Sequence, residues 1–107
     1  MKESDIQRLV MLALSEAGCL IWRNNTGCLK NQAGIPIKFG LCVGSSDLIG
    51  ITPDGEFLAV EIKTPTGRAT PEQNRFITAV RSRGGIAGIA RSAADALALL
   101  AQTKPNE

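Results

Sequence analysis

Two carboxylates and a lysine interrupt apolar segments in the middle of the chain, and their types suit them to chemistry. Asp47 precedes the apolar run 48–51, and Glu61 and Lys63 lie at the end of the run that begins at Phe57. Carboxylate oxygens suit Mg²⁺ or Mn²⁺, which bind through one or two carboxylates, water and substrate phosphate. A bound divalent ion lowers the pKa of a water molecule, and a nearby lysine can orient or deprotonate that water. These residue types favour phosphodiester hydrolysis.

The residue types that the chain lacks exclude several other kinds of catalysis. There is no histidine, which removes Ser-His-Asp and Cys-His catalysis and every histidine-containing zinc site. There is no tyrosine, so the chain cannot form the phosphotyrosine intermediate of recombinases and topoisomerases. Any chemistry must therefore come from carboxylates, lysines, amides and bound metal.

Length and composition predict one domain spanning residues 1–107. The chain is 44% hydrophobic and 21% charged, and a chain of this size buries roughly two-thirds of its unfolded surface around one core. Its three cysteines form no Cys-x-x-Cys pair and no secretory segment follows Met1, so we expect a reduced, cytoplasmic protein. No apolar run reaches the roughly 18 residues that span a bilayer, and we expect no membrane partner. The net charge of +2 permits a nucleic-acid partner.

Hydrophobic periodicity and turn residues predict an α/β sandwich, a mixed β-sheet flanked by helices. The predicted helices cover residues 3–17, 71–83 and 92–103, and the predicted strands cover residues 19–23, 35–39, 48–51, 57–63 and 86–90. The polar, glycine-containing stretch 24–34 is predicted to be a loop.

A Pro-Asp-Gly turn predicts a hairpin whose register follows by counting. If Ile51 pairs with Phe57, counting back along both strands sets Asp47 opposite Glu61. Directly opposed residues of an antiparallel pair hold their Cβ atoms about 4.5–5.5 Å apart. Two like charges there destabilise the sheet unless a cation lies between them, and alternation places Lys63 on the same face as Glu61.

Helical spacing directs two further polar side chains toward these carboxylates. At about 100° per residue, Glu3 falls among the core-facing residues of the first helix, and Gln73 does so in the second. Simpler interpretations stay open, since Glu3 is also a favourable charge at a helix N-terminus and Gln73 is also the capping-box partner of Thr70. The candidate catalytic cluster comprises Glu3, Asp47, Glu61, Lys63 and Gln73.

Within this cluster we expect a site for Mg²⁺ or Mn²⁺. The expected ligands are the carboxylates of Asp47 and Glu61, the Ile62 carbonyl, and Glu3 directly or through water. Lys63 is expected to position the attacking water, with Gln73 supporting it or a phosphate.

Several short motifs together resemble one nuclease family. They are Glu-Ser-x-Ile-Gln from Glu3, Arg-Asn-Asn-x-Gly from Arg23, Gly-Ser-Ser-Asp-Leu-Ile-Gly from Gly44, Glu-Ile-Lys from Glu61 and Gln-x-x-Phe from Gln73. The Asp…Glu-x-Lys spacing is similar to that of PD-(D/E)xK nucleases, and the fuller set, over nearly the whole chain, resembles the VRR-NUC (virus-type replication-repair nuclease) branch. The family's proline before the aspartate is Ser46 here, at a position that shapes a turn and binds no metal.

The resemblance implies a restriction-endonuclease-like fold and metal-dependent cleavage of structured DNA in a bacterial or phage-infected cell. We expect an endodeoxyribonuclease of the Holliday-junction-resolvase type. A flap or nicking nuclease, or a DNA-binding module that keeps the fold without cleaving, are the alternatives. The expected DNA-contacting residues are Arg23, Asn25, Lys30, Lys38, Ser46 and Arg68.

The last predicted helix is apolar nearly all round, which favours a homodimer. Only a narrow strip with Asp95 and Gln102 is polar, and a helix of this kind is usually buried on more than one side. Met11 and Leu12 lie off the core face of the first helix and add apolar surface. Alanine tolerates exposure to solvent, so this extra apolar surface can also be explained without a dimer.

Overall fold

The computed structural model describes residues 1–102, and this part of the chain forms three helices, a four-stranded mixed sheet and a separate two-stranded sheet. The elements are α1 (Glu3–Glu16), β1 (Leu20–Arg23), β2 (Gly27–Lys30), β3 (Pro36–Phe39), β4 (Leu48–Ile51), β5 (Phe57–Ile62), α2 (Pro71–Ser82), β6 (Ile86–Ala90) and α3 (Ala93–Leu100). The large sheet has the order β1-β4-β5-β6, antiparallel except for the parallel pair β5–β6. The predicted α/β class is confirmed.

Helix α1 forms because apolar residues recur on one side of it. Ile6, Val10 and Leu14 are four residues apart and fully or nearly fully buried. The helix stops where Gly18 adopts a φ of 94°, a conformation that glycine accepts without steric cost. Together with α3, this helix covers one face of the large sheet.

Strand β5 is the centre of the sheet and is covered on both faces. Leu58, Val60 and Ile62 face the core formed with α1 and α3. Ala59 faces the other way and packs with Ile77 of α2. This double coverage explains why the strand is almost continuously apolar until Glu61.

Helix α2 covers only the β5–β6 half of its face of the sheet. On the β1–β4 half, Leu20 pairs with Ile51 and Ile51 with Phe57, so these three side chains share one face. All three are exposed, and so is Trp22, at 50%. We call the surface of Leu20, Trp22, Ile51 and Phe57 the open sheet face.

The stretch 24–34 is not a simple loop, because it contains strand β2. This strand pairs antiparallel with β3, and every residue from 25 to 43 is exposed. Its four residues, Gly27–Lys30, show no clean apolar–polar alternation, which is why periodicity missed it. We call residues 25–43 the arm.

The other boundaries differ from prediction by a few residues. Strand β1 begins at Leu20 because the backbone N–H of Cys19 still donates to the Leu14 carbonyl at the end of α1. Helix α3 ends at Leu100, and the predicted end at Thr103 lies outside the described residues. Within residues 1–102, no helix is long and apolar enough to cross a membrane.

Candidate active site

The register of the β4–β5 hairpin brings Asp47 and Glu61 together. Ile51 pairs with Phe57 and Leu48 with Val60, as predicted, and one step further along the ladder sets Asp47 opposite Glu61. Asp47 Oδ2 accepts a hydrogen bond of 2.9 Å from the backbone N–H of Ile62. This bond fixes the direction of the Asp47 carboxylate at the end of the central strand.

The Glu61 carboxylate is held by one residue from its own chain segment and one from α2. Lys63 Nζ lies 3.4 Å from Glu61 Oε2, as expected for side chains two residues apart on one face of a strand. Gln73 Nε2 donates to the same oxygen at 3.0 Å. Three of the five predicted cluster members, Glu61, Lys63 and Gln73, therefore meet at one carboxylate oxygen, Glu61 Oε2.

Gln73 has both of the functions that its sequence context suggested. Its Oε1 accepts from the Thr70 N–H at 2.9 Å, and its own N–H donates to Thr70 Oγ1, which completes a capping box. Its Nε2 remains available to donate to Glu61. The start of α2 and the position of a candidate catalytic carboxylate are thus fixed by one side chain.

Glu61 is an acidic group in an environment that opposes its charge. Its side chain is 2% exposed. Burial, and then the charge of Asp47, raises its pKa from the ordinary 4.5 to about 8, while Lys63 acts in the opposite direction. Its Oε1 has no hydrogen-bond partner in the described part of the chain. A buried oxygen with an unused lone pair beside a second carboxylate suits a cation.

The residues present fit a divalent ion that keeps part of its water shell. Among residues 1–102, no group of three or more His, Cys, Asp or Glu side chains converges on one point. Mg²⁺ and Mn²⁺ do not require such a cage, since one or two carboxylates with water and phosphate suffice. Asp47, Glu61 and the carbonyl of Ile62 are the groups that could hold the ion.

Glu3 does not join this cluster. It lies in the first turn of α1 and is exposed, and the structure gives it no hydrogen bond or ion pair with Asp47 or Glu61. Glu3 lies on the same side of the helix as the buried residue Ile6 but one turn nearer the N-terminus. At that turn the helix extends beyond the end of the core. A ligand function for Glu3 remains a prediction without a supporting contact.

The predicted DNA-contacting residues divide into exposed ones and one that is buried. Exposed positions are Arg23, Asn25, Lys30, Lys38 and Arg68. Ser46 is 1% exposed and its hydroxyl is buried, so this hydroxyl is not placed to contact a phosphate. The turn folds inward there because it leads into the buried strand β4.

Reasoning from the sequence missed two residues that hold the site from outside. The Arg91 Nη1 donates to the carbonyls of Thr64 and Gly67, each at 2.6 Å, and so ties down the loop that follows Lys63. Asn24 bonds to the turn that precedes Asp47. Arg91 lies in none of the motifs, and Asn24 lies in the Arg-Asn-Asn-x-Gly motif, which carries the family resemblance but by itself indicates no such function.

The fold and this cluster define a nuclease-type α/β domain. The model of the VRR-NUC domain family matches residues 2–94, and the chain belongs to that family. A solved structure described as a VRR_NUC domain has the same fold, with a TM-score of 0.64 at 22% sequence identity over 94% of this chain and 95% of the other. Comparison with curated proteins finds no match. The family predicted from the motifs is confirmed, and with it a nuclease domain for which DNA is the substrate.

Proposed function

We propose that this domain is a divalent-metal-dependent endodeoxyribonuclease that cuts branched DNA, in the manner of a Holliday-junction resolvase, in the cytoplasm of a bacterial or phage-infected cell. The observation that carries the metal-dependent part is the carboxylate pair of half-buried Asp47 and buried Glu61, with Lys63 beside it. Such a pair is costly to fold without a cation and is suited to holding one.

Each residue of the cluster then has a distinct task. Asp47 and Glu61 would hold the ion, with the Ile62 carbonyl as a further ligand. When bound, the ion supplies charge for the scissile phosphate and acidifies water. Lys63 holds the attacking water and stabilises developing negative charge. Gln73 keeps Glu61 Oε2 in place.

One face of the arm carries positive charge, and this favours DNA as the partner. Cys28 pairs with Lys38 and Lys30 with Pro36, so both lysines project from the same face of this two-stranded sheet. Residues 24–46 include no Asp or Glu. The arm therefore presents cations without counter-charges, and it leaves from and returns to the segments that flank Asp47.

The test is cleavage of a labelled four-way junction by the purified protein. We expect cleavage with Mg²⁺ or Mn²⁺ and none with EDTA, and faster cleavage of the junction than of flap, nicked or linear duplexes. Faster cleavage of a flap or a nick would favour those activities over resolution. Binding of the junction without cleavage under any metal condition would identify a binding module and refute the enzymatic proposal.

We also propose that the protein acts as a homodimer, with an interface different from the one that periodicity suggested. Among the large hydrophobic side chains of α3, Leu97 is exposed while Leu99 is buried, so α3 exposes fewer large apolar side chains than the arm. Most of the exposed large hydrophobic side chains in the described residues lie instead on the arm and the open sheet face. The apolar face of the arm carries Leu29, Ile37 and Phe39, opposite to its lysines. A second copy whose arm covers the open sheet face, and whose own open face is covered in return, would bury both surfaces.

A charge-pair experiment tests this arrangement. Ile37→Lys alters only the arm, and Trp22→Glu alters only the open sheet face. We expect each variant alone to sediment as a monomer and their mixture to form a dimer, since the mixed pair contains one opposite-charge contact and one native contact. A native protein that sediments as a single 11.3 kDa species at micromolar concentration would exclude the dimer, and dimers of both variants would exclude this interface.

A further inference from the structure

Asn24 directly follows β1 and makes three hydrogen bonds to the segment that carries Asp47. Its backbone N–H donates to the Asp47 carbonyl at 2.8 Å, which extends the β1–β4 ladder by one pair. Its side-chain Nδ2 donates to Ser45 Oγ at 2.8 Å and to the Ser46 carbonyl at 2.9 Å. Both hydrogens of the amide are used, and the side chain is partly buried.

The turn that Asn24 holds is packed on another side against α2. Gly44 has a φ of 86°, and a Cβ at this position would lie 2.6 Å from the backbone carbonyl of Glu72. The turn therefore lies against the start of the helix that carries Gln73. With Asn24 on one side and α2 on another, the backbone of residues 44–46 has little freedom.

These contacts determine where the Asp47 carboxylate can be. Asn24 fixes the main chain at residues 46 and 47, and the Ile62 N–H fixes Oδ2. Because both the backbone and one carboxylate oxygen are held, the position of the other oxygen, Oδ1, is set as well. Outer hydrogen bonds that orient a metal-binding carboxylate typically contribute 10- to 100-fold to metal affinity or activity.

We propose that Asn24 is a positioning residue for the metal site, acting through the Ser45–Asp47 backbone to hold the Asp47 carboxylate in ligand geometry. This inference rests on the proposed metal-dependent function. The choice of residue type follows from the two bonds, since asparagine is the short side chain whose single nitrogen donates twice, whereas isosteric aspartate cannot donate at all when ionised.

The experiment compares Asn24→Ala with Asn74→Ala, an exposed asparagine on α2 that makes no side-chain hydrogen bond within the described residues. Mn²⁺ binding to the DNA-free protein is measured by calorimetry, and kcat and KM for junction DNA are measured at several Mn²⁺ concentrations. We expect Asn24→Ala to bind Mn²⁺ about 10- to 100-fold more weakly, to show a lower kcat with an unchanged KM for DNA, and to regain activity as Mn²⁺ is raised. Asn74→Ala should match the native protein in all of these.

A folded Asn24→Ala protein with native Mn²⁺ affinity and native metal dependence would overturn the inference, whatever its melting temperature. If Asn24→Ala does not fold, Ser45→Ala removes only one of the two side-chain bonds and should also weaken Mn²⁺ binding. Native Mn²⁺ affinity in Ser45→Ala would count against the inference.

Asp47→Ala separates the proposed function of Asn24 from the proposed metal site. If Asp47→Ala keeps both Mn²⁺ binding and cleavage, the metal site itself is wrong, whereas loss of both in Asp47→Ala with native behaviour in Asn24→Ala rejects only the function of Asn24.

Discussion

Gln73 donates its Nε2 to Glu61 Oε2 at 3.0 Å, and this bond joins the first turn of α2 to the end of the central strand. The other end of the same amide accepts from the Thr70 backbone and caps the helix. Formation of the helix start and placement of the carboxylate are therefore coupled through one side chain.

The two functions of Gln73 can be separated by two substitutions. Gln73→Glu keeps an acceptor for the Thr70 N–H but replaces the donor to Glu61 with a third carboxyl group beside Asp47 and Glu61. Thr70→Ala removes the cap, at a cost of about 1 kcal/mol, and leaves the donor to Glu61 in place. We expect both variants to melt lower, Gln73→Glu through carboxylate crowding and Thr70→Ala through loss of the cap, but only Gln73→Glu to show strongly reduced cleavage below its transition. Native cleavage by folded Gln73→Glu would show that Gln73 is only a capping residue.

Substitution of Asp47 is expected to abolish cleavage, but its effect on stability depends on the new side chain. Asp47→Asn keeps an acceptor for the Ile62 N–H and removes the repulsion with Glu61, so its melting temperature in EDTA should rise. Asp47→Ala leaves that backbone N–H unsatisfied, at a cost of about 1–3 kcal/mol, which offsets the relief. Cleavage assays and melts of both variants check this, and native cleavage by either one would remove Asp47 from the site.

Lys63→Ala should lower turnover by about 10²- to 10⁴-fold, the usual contribution of a positioned proton-transfer group. Mn²⁺ binding and junction binding should persist, because they depend on other residues. Lys2→Ala, at an exposed lysine in front of α1, is the matched control and should cleave normally. A Lys63→Ala protein with native turnover would leave this lysine as a charge neighbour of Glu61 and nothing more.

The raised pKa of Glu61 predicts an unusual pH dependence of stability in the metal-free protein. Between the ordinary value of 4.5 and about 8, the folded state binds more protons than the unfolded state. The contribution of Glu61 to the free energy of unfolding is therefore present at low pH and is lost as the pH rises through this window. Melting in EDTA at pH 5 and pH 8.5 should show this loss in the native protein, and Glu61→Gln should remove it. Equal pH profiles for the two proteins would refute the shift.

DNA binding should depend steeply on salt and little on base sequence. Each phosphate contact contributes about 0.9 to the slope of log K against log salt concentration. Lys30→Ala and Lys38→Ala should each reduce that slope by about 1 and weaken binding to all sequences alike. Fluorescence anisotropy between about 50 and 200 mM salt measures these slopes, and tight, salt-insensitive binding of one particular sequence would contradict the prediction.

The predictable part of this site is the part governed by local periodicity. The Asp47–Glu61 opposition follows from the hairpin turn and the pairing of Ile51 with Phe57, both of which depend on neighbouring residues. The dual bonding of Gln73 follows from a capping box and a helical angle in the same way. In each case, the residues of one helix or hairpin are sufficient to predict which way the side chain points.

The parts that the sequence did not reveal depend on contacts between distant segments. Asn24 bonds to a turn 21 or 22 residues away, and Arg91 bonds to a loop 24 or 27 residues away, so no local pattern could reveal these contacts. Helical spacing sets Glu3 one turn before the buried residue Ile6, but Glu3 is exposed, because the point where the core ends along that helix is set by the sheet. Strand β2 was missed because its four residues show no clean apolar–polar alternation, and its pairing with β3 lies outside any local pattern.

The arm supplies no side chain to either buried cluster of the described residues. Its two ends are nevertheless close together, because Asn24 before it bonds to Ser45 just after it. A segment whose ends are joined and whose side chains lie outside the core of its own chain is a position where insertions, deletions and replacements cost that chain little folding free energy. We therefore expect that the length and sequence of the arm can be changed without disturbing Asp47, Glu61 and Lys63, so that its proposed DNA contacts can be altered separately from the proposed cleavage chemistry.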